Sequence, residues 1–307
     1  MMALMGTVLA ACQPMDEIVP QELIPRDGKW TIIVEATREI PGQAGNDGLS
    51  TKGLELQDNG STLFAYWGAT STTNEYVWIG FNNGSVGSLD ITPTSNKSTT
   101  ATLSGHVNVD NTNQVNKGDL VALLYPRRDW DYTGQDGEAP SETATISKQY
   151  NYASAFATIV KLGYPRTIST SSATFINGQS VYRFRFKKDG TAFTDIKEFT
   201  LMSNKEKLVS YRTFQNNDWT SSYGSLTVKP KTTPQDGFYY MSIRNENDVT
   251  TESDLYSFTI LDSNEKLYVG QQNIPGGKWG NGNFISAGNI AIRSNFSMTS
   301  GSVSEVW

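Results

Sequence analysis

The sequence has few of the side chains from which reactive sites are built. It contains one cysteine, Cys12, and one histidine, His106, so an intrachain disulfide is excluded. Ser-His and Cys-His nucleophile systems have no convincing candidates, and a zinc site lacks ligands. We therefore expect no catalytic residues, no metal and no cofactor, and we expect that the chain is not an enzyme.

Blocks of basic residues and long apolar runs are also missing. Lys and Arg are spread along the chain and the net charge is −6, so no patch points to phosphate backbones and nucleic acid is not an expected partner. No apolar run beyond the first residues is long enough to span a bilayer. No glycine-rich phosphate-binding motif is present.

Strand-forming residues are what the chain has instead. Hydrophobic residues make up 37% of the 307 residues, with many Tyr, Phe and Trp, which is enough for sizeable cores. Short alternating segments lie between clusters of Asn, Gly, Ser and Thr, and they predict an all-β protein of antiparallel sandwiches. A boundary near residue 170 divides the chain into an N-terminal β-sandwich domain, 29–170, and a C-terminal one, 171–307.

The segment Lys29–Arg38 has a clear strand pattern. Every second residue is apolar and predicted to point inward, namely Trp30, Ile32, Val34 and Ala36. A proline-containing tether, 13–28, precedes the segment, and a long polar segment from Glu39 to Gly53 follows it. A protease that prefers basic residues could reach Arg38 and separate this first strand from the rest of the chain.

The segment Asn289–Thr299 has the same spacing near the other end. One face carries Ser294 and four apolar residues, Ile290, Ile292, Phe296 and Met298, while Arg293 and Ser297 fall on the opposite face. Two interpretations are open. The two terminal strands occupy the same kind of groove, or each is the edge strand of its own domain.

The first twelve residues look like a bacterial lipoprotein signal that ends in a lipobox. Leu9-Ala10-Ala11 precedes Cys12, whose acylation would hold the protein on a membrane surface. Met1–Val8 is apolar but lacks the Lys or Arg of a signal n-region, so we expect the true start to lie upstream.

Two groups of aromatic residues lie in polar segments. Trp130 and Tyr132 fall within residues 126–142, and Trp219 and Tyr223 within residues 216–224. Such side chains can stack on sugars, and they can equally pack locally. Asp129-x-Asp131 begins like a calcium loop, but the acidic residue that should close the loop is absent, so we expect no metal there.

Several of these features together resemble a Bacteroidetes fimbrillin, which is a type V pilin subunit. They are the lipobox at Cys12, the tether, the strand Lys29–Arg38, the turn and strand Asn116–Pro126, and Pro275–Trp279 before the C-terminal strand. The resemblance implies two transthyretin-like β-sandwich domains in tandem. It also implies an outer-membrane lipoprotein at the cell surface.

The resemblance further implies a route to a polymer. An arginine- or lysine-specific protease would cut after Arg38, with Arg26 as an alternative, and remove the first strand. A neighbouring subunit's Asn289–Trp307 would then fill the groove by strand addition and build a fimbria that supports adhesion. The implied partners are other pilin subunits, the protease, the membrane through the lipid anchor, and a host or bacterial surface ligand.

The competing hypothesis is a surface lipoprotein that binds glycans through Trp130, Tyr132, Trp219 and Tyr223. Such a protein would not need proteolytic maturation and would stay monomeric after trimming. A tip pilin would combine adhesion with a place in the polymer. The sequence leaves the stalk, anchor and tip positions open, and the donor-like pattern near Ile290 favours a stalk or base subunit.

Overall fold

The computed structural model describes residues 28–38, 53–56, 63–67, 75–82, 84–109, 114–141, 144–234, 236–245, 254–274 and 284–294. Within these ranges the chain is nearly all strand, with one short helix, so the all-β prediction is confirmed. The predicted lipidation site Cys12, the alternative cleavage site Arg26, and Phe296 and Met298 lie outside the described residues. Among the described residues, no helix has the length and apolar character needed to cross a bilayer.

Among its described residues, the first half of the chain has eleven strands and the short helix. They are β1 (Gly28–Arg38), β2 (Gly53–Leu56), β3 (Leu63–Tyr66), β4 (Tyr76–Phe81), β5 (Val86–Pro93), β6 (Thr100–Val109), β7 (Leu120–Tyr125), β8 (Asp129–Asp131), α1 (Thr145–Gln149), β9 (Ala153–Gly163), β10 (Thr167–Thr170) and β11 (Ala173–Asn177).

The described part of the second half has ten strands. They are β12 (Ser180–Lys188), β13 (Thr191–Ala192), β14 (Glu198–Ser203), β15 (Val209–Gln215), β16 (Asp218–Tyr223), β17 (Leu226–Val228), β18 (Tyr239–Ile243), β19 (Asp254–Leu261), β20 (Leu267–Ile274) and β21 (Phe284–Ser294).

The first large sheet closes on itself. Its eight strands follow the order β10-β1-β11-β9-β7-β4-β5-β6, and β1 also pairs with β6 at the far end of that order. The alternating residues of each strand point one set of apolar side chains to the inside, where they form a continuous core. β7 is apolar on both faces because Ala122 and Leu124 point away from this core and are covered by Phe214.

The second large sheet follows the order β13-β12-β21-β20-β19-β14-β17, with β18 paired to β12. Its core is rich in aromatic residues, because Tyr182, Phe184 and Phe186 of β12 all point inward. The strands of this sheet lie between Ser180 and Ser294, and those of the first sheet end at Asn177. The predicted division at residue 170 stays a prediction, as does the pair of transthyretin-like sandwiches. The expectation of antiparallel sheets throughout is wrong, because β1 runs parallel to β10 and β11, and β12 runs parallel to β21.

A small third sheet connects the two halves. It has the order β16-β15-β8, so that β8 from the first half pairs with β15 from the second. Residues 126–142 and 216–224 are polar segments by sequence, whereas β8 and β16 are strands there. Both strands are short and polar, which makes them hard to recognise by alternation.

Candidate functional site

β1 closes the first sheet and has a different kind of neighbour on each edge. On one edge it runs antiparallel to β6 through ten residue pairs, from Gly28↔Val109 to Thr37↔Thr100. On the other edge it runs parallel to β10 and, further along, to β11. Taking β1 away would therefore leave an open slot between β6 on one side and β10 and β11 on the other. We call this space the β1 slot.

The inner face of β1 contributes four apolar residues to the first core. All four are at most 3% exposed, namely Trp30, Ile32, Val34 and Ala36. The outer face differs, since Ile33 is 52% exposed and Glu35 accepts a hydrogen bond from Thr102. Burial of each large apolar side chain stabilises the fold by about 1.5–3 kcal/mol. The four residues lie inward, as the alternation predicted, and their displacement stays a prediction.

Arg38 continues the inward series and is buried at the end of β1. Its Nη2 donates hydrogen bonds to Asn151 Oδ1 at 2.8 Å and to Asn177 Oδ1 at 2.9 Å. Its Cζ lies 5.4 Å from the ring centroid of Trp67 and 5.0 Å from that of Tyr125, which is within the range of a cation–π contact. The side chain of Arg38 therefore anchors the end of β1.

A buried carboxylate adds negative charge to this region. Tyr125 donates its hydroxyl proton to Glu75 Oε2 at 2.8 Å. Burial lowers the pKa of Arg38, while Tyr125 and Glu75 act in the opposite direction. Burial and then the charge of Glu75 raise the pKa of Tyr125 well above its usual value, so that its hydroxyl keeps the proton that it donates. We name the surroundings of this guanidinium the Arg38 pocket; it consists of Trp67, Glu75, Tyr125, Asn151 and Asn177.

The expectation that a protease could reach Arg38 directly is wrong for the folded chain. An arginine-specific protease must take the guanidinium into its own binding pocket, but this side chain is 1% exposed. Cutting after Arg38 requires the end of β1 to leave the Arg38 pocket first. The sequence contained the signal, because Arg38 lies two residues beyond Ala36 and so shares the inward face of the strand. The five pocket residues themselves were not identified from the sequence.

β21 has a similar position in the second sheet. It runs parallel to β12 and antiparallel to β20. Ile290 and Ile292 point into the core and are buried, and the outward-facing Ala291 and Arg293 are exposed. These two predicted donor residues thus complete the second sheet of their own chain. Whether a neighbouring subunit receives them stays a prediction.

β21 is held less extensively than β1. Its pairing with β20 covers three residue pairs, Tyr268↔Ser294 to Gly270↔Ile292. Its register with β12 shifts between Ser286 and Asn289, and Gly288 in between has a φ of +76°. A positive φ and an extra residue are features of a β-bulge, which interrupts the ladder of hydrogen bonds.

Two of the four candidate sugar-stacking residues are buried, so the expectation of exposed aromatics is wrong for them. Trp130 and Tyr132 are buried because the connection between the two halves folds against both of them. Trp130 Nε1 donates to the carbonyl oxygen of Arg127 at 2.9 Å. The hydroxyl of Tyr132 donates to the carbonyl oxygen of Gly178 at 3.0 Å. A Cβ on Gly178 would lie 2.3 Å from the ring of Trp130, so the glycine permits this close packing.

The other two aromatics do not form a platform with them. Trp219 is half-buried, with its ring centroid 4.3 Å from that of Trp130 and the guanidinium carbon of Arg212 3.9 Å above it. Tyr223 is 49% exposed at the end of β16. The contacts of Trp219 join β8 to the hairpin of β15 and β16. This is local packing, the alternative to sugar stacking for these aromatic residues.

The acidic residues near β8 are engaged in local hydrogen bonds. Asp129 accepts from the hydroxyl of Thr213, and Asp131 Oδ1 accepts from the backbone N–H and the hydroxyl of Thr133. Within the described ranges, no group of three His, Cys, Asp or Glu side chains is placed to hold a metal ion.

No protein-family model matches the chain, and no curated protein matches it by sequence. Three similar solved structures illustrate what its fold resembles. A proposed cell adhesion protein from Bacteroides ovatus is 14% identical, with 86% of this chain and 95% of that chain covered and a TM-score of 0.35. A fimbrial protein from the same species is 13% identical, with 87% and 50% covered and a TM-score of 0.30. The shaft pilin SpaA from Lactobacillus rhamnosus GG is 9% identical, with 88% and 100% covered and a TM-score of 0.32.

Proposed function

We propose that this chain is a structural subunit of a cell-surface fimbria and that subunits join by strand addition at the β1 slot. The observation that supports this most is the position of β1, which is the first strand that the structure describes. It lies between β6 on one edge and β10 and β11 on the other, and all three strands remain when β1 is removed. The vacated slot would expose two rows of backbone hydrogen-bonding groups and an apolar floor, and an extended peptide satisfies both.

Maturation in this proposal has three steps. Acylation of Cys12 attaches the exported protein to the outer membrane at the cell surface. A protease then cuts after Arg38 and β1 leaves, whereas the alternative cut after Arg26 trims the chain before β1 and leaves that strand attached. A neighbouring subunit's C-terminal segment, Asn289–Trp307, fills the slot. The similar solved structures are a cell adhesion protein, a fimbrial protein and a shaft pilin. Proteins of these kinds fit this role and a cell-surface location.

The proposed role is structural, so it requires no catalytic group, metal or cofactor. It retains the prediction of two transthyretin-like domains, with the slot in the first of them. A glycan-binding role through Trp130, Tyr132, Trp219 and Tyr223 is less well supported, because two of these rings are buried.

The test is digestion of the lipid-free full chain with an arginine-specific protease, followed by intact mass and size-exclusion chromatography. We expect a slow cut after Arg38 and then a ladder of oligomers. Arg38→Lys is the matched control, since it keeps a cation in the Arg38 pocket and blocks an arginine-specific cut. A fully cut chain that stays monomeric would contradict the proposal.

A second pair of variants tests the donor segment without disturbing the second sheet. Deleting Asn289–Trp307 would remove Ile290 and Ile292 from the core of that sheet. Phe296→Asp instead places a charge on the predicted donor face beyond β21, and Ser297→Asp places the same charge on the opposite face. We expect the first variant to abolish the oligomer ladder and the second to leave it unchanged.

A further inference from the structure

The inner face of β1 does not end on an apolar residue. Counted from Trp30 as position one, the strand places apolar side chains inward at positions one, three, five and seven and a guanidinium inward at position nine. These residues are Trp30, Ile32, Val34, Ala36 and Arg38. A strand that replaces β1 must therefore fill the Arg38 pocket as well as the apolar floor. Since this requirement concerns the occupant of the β1 slot, the inference rests on the proposed function.

Every residue of the Arg38 pocket stays in the body when β1 leaves. Trp67 directly follows β3, Glu75 directly precedes β4, and Tyr125 ends β7. Asn151 lies two residues before β9, and Asn177 ends β11. A cut after Arg38 removes the cation and leaves its surroundings in place.

The groups of this pocket share one chemical preference. Two amide oxygens accept hydrogen bonds from Arg38, two aromatic rings present their faces to it, and Glu75 contributes a carboxylate. All of these favour a cation, and a planar guanidinium can both stack on the rings and donate to the two oxygens. An apolar side chain at the same place would bury the amide oxygens without the hydrogen bonds that they make now, which is unfavourable.

We propose that the β1 slot selects an extended strand that has apolar side chains at four alternate positions and an Arg or Lys at the ninth. The strand runs antiparallel to β6, as β1 does. Arg is preferred to Lys, because Lys cannot stack its charged group as a plane.

This requirement discriminates against the chain's own C-terminal segment. Aligned on Ile290 as the first inward residue, the ninth position is Met298. Arg293 is the sole Lys or Arg in 289–307, and it belongs to the opposite face of the alternating pattern. The slot thus accepts a partner subunit's cation-bearing strand more tightly than it accepts the C-terminal segment of a second copy of this chain, which still fills the slot when no such strand is present.

The experiment measures exchange of β1 in the full chain. A recognition sequence for an unrelated site-specific protease is inserted between Arg38 and Gly53, so that β1 is cut free from the body and Arg38 stays attached to it. Synthetic peptides of residues 28–38 then compete for the slot, and the released strand is quantified by mass spectrometry. The peptides are the native sequence, Arg38→Lys, Arg38→Met and Lys29→Met. The last removes the same charge at an exposed position.

We expect Arg38→Met to weaken binding by about tenfold or more and Lys29→Met by less than about threefold. Arg38→Lys should fall between the native peptide and Arg38→Met. In the 289–307 peptide, Met298→Arg should tighten binding by about tenfold, and Ser297→Arg should not. The body variant Asn151→Leu should reduce the preference for Arg over Met.

The outcomes separate the two proposals. Equal binding of the native and Arg38→Met peptides would overturn the cation requirement and leave strand addition intact. Failure of every peptide, the native one included, to displace β1 would overturn strand addition and the cation requirement together. If the Asn151→Leu body does not fold, the two peptide series with the unchanged body still decide between these outcomes.

Discussion

β1 and β21 are the first and last strands of the described chain, and they are placed alike but held differently. Each has an antiparallel neighbour on one edge and parallel pairing on the other, with β12 for β21 and with β10 and then β11 for β1. On the antiparallel side β1 makes ten residue pairs and β21 makes three. β1 buries five inward side chains, whereas β21 buries Ile290 and Ile292 and carries a bulge before them.

Because of this difference, we expect β1 and β21 to leave their sheets with unequal ease. A strand that is paired along both edges and anchored by a buried cation leaves only after its covalent link is cut and its end has opened. A strand with an interrupted ladder loses fewer interactions when it leaves. In the assembly proposed above, the first arrangement would keep β1 in place until the chain is cut, and the second would let the C-terminal segment change partner.

The largest expected effect comes from the inner face of β1. Trp30→Ala should lower the free energy of unfolding by about 3–5 kcal/mol, because it removes a fully buried indole from the first core. Ile33→Ala on the exposed face of the same strand should change it by less than about 0.5 kcal/mol. Denaturant unfolding followed by far-UV circular dichroism, which reports on the backbone, measures the free energy of unfolding of both variants. Equal effects would mean that β1 is not held by its inner face.

The equivalent change in β21 tests the other half of the comparison. Ile290→Ala should cost about 2–5 kcal/mol of unfolding free energy, and less than Trp30→Ala, since a smaller side chain is removed from a strand with fewer pairs. Ala291→Ser, one residue further and exposed, should be nearly neutral. Hydrogen exchange would show the difference directly, with β21 amides less protected than those of β1. Slower exchange in β21 would reverse the comparison.

The Arg38 pocket should control how quickly the chain is processed. Asn151→Ala removes one acceptor of the guanidinium, which is worth about 1–3 kcal/mol, so the cut after Arg38 should be about 5- to 150-fold faster. Cleavage follows the open population when opening and closing are fast relative to cutting. Thr102→Ala, which alters a contact on the outer face of β1, is the control. An unchanged rate for Asn151→Ala would show that opening does not involve the pocket.

The smallest effect concerns the connection between the sheets, away from both terminal strands. Burial by itself would raise the pKa of Asp136, but hydrogen bonds from Lys231, Thr145 and the N–H of Glu138 hold it below its usual 3.8. Because the folded value is the lower one, the carboxylate stabilises the folded chain above the unfolded pKa, and this contribution is lost as the pH falls through the folded value.

Asp136→Asn should therefore lower the free energy of unfolding at pH 7 by at most about 1 kcal/mol, because Lys231 is largely exposed. The difference from the unchanged chain should shrink as the pH falls below about 4 and vanish in stronger acid. Glu265→Gln, in the exposed pair with Lys197, should not measurably change the free energy of unfolding at neutral or at acid pH. Unfolding curves at several pH values check this, and a pH-independent difference would rule out a charge effect.

Local pattern accounts for the elements that could be predicted from sequence. β1, which alternates regularly, was predicted as Lys29–Arg38, close to its observed limits Gly28–Arg38. β15 was missed because a register shift between Val209 and Tyr211 changes which side chains point inward, so that Val209 and, three residues later, Arg212 are both buried. Alternation cannot identify a strand that contains such a shift.

The candidate site required information that the sequence order does not carry. The four apolar positions of β1 follow from their spacing, and so does the inward direction of Arg38. The Arg38 pocket does not, because its members come from five separate places between Trp67 and Asn177 and meet only when the sheet has closed. A buried arginine also contradicts the usual surface preference of charged residues, and only the pocket explains it.

The unlike edges of the β1 slot give it a direction. β6 accepts an antiparallel strand and β10 and β11 accept a parallel one, so a strand that enters the reversed way would mismatch both ladders. Subunits joined through such a slot all point the same way along the polymer axis, and the contact between them is head-to-tail. A fibre built in this manner has two chemically different ends, one with an empty slot and one with an unused strand, and it can grow without closing into a ring.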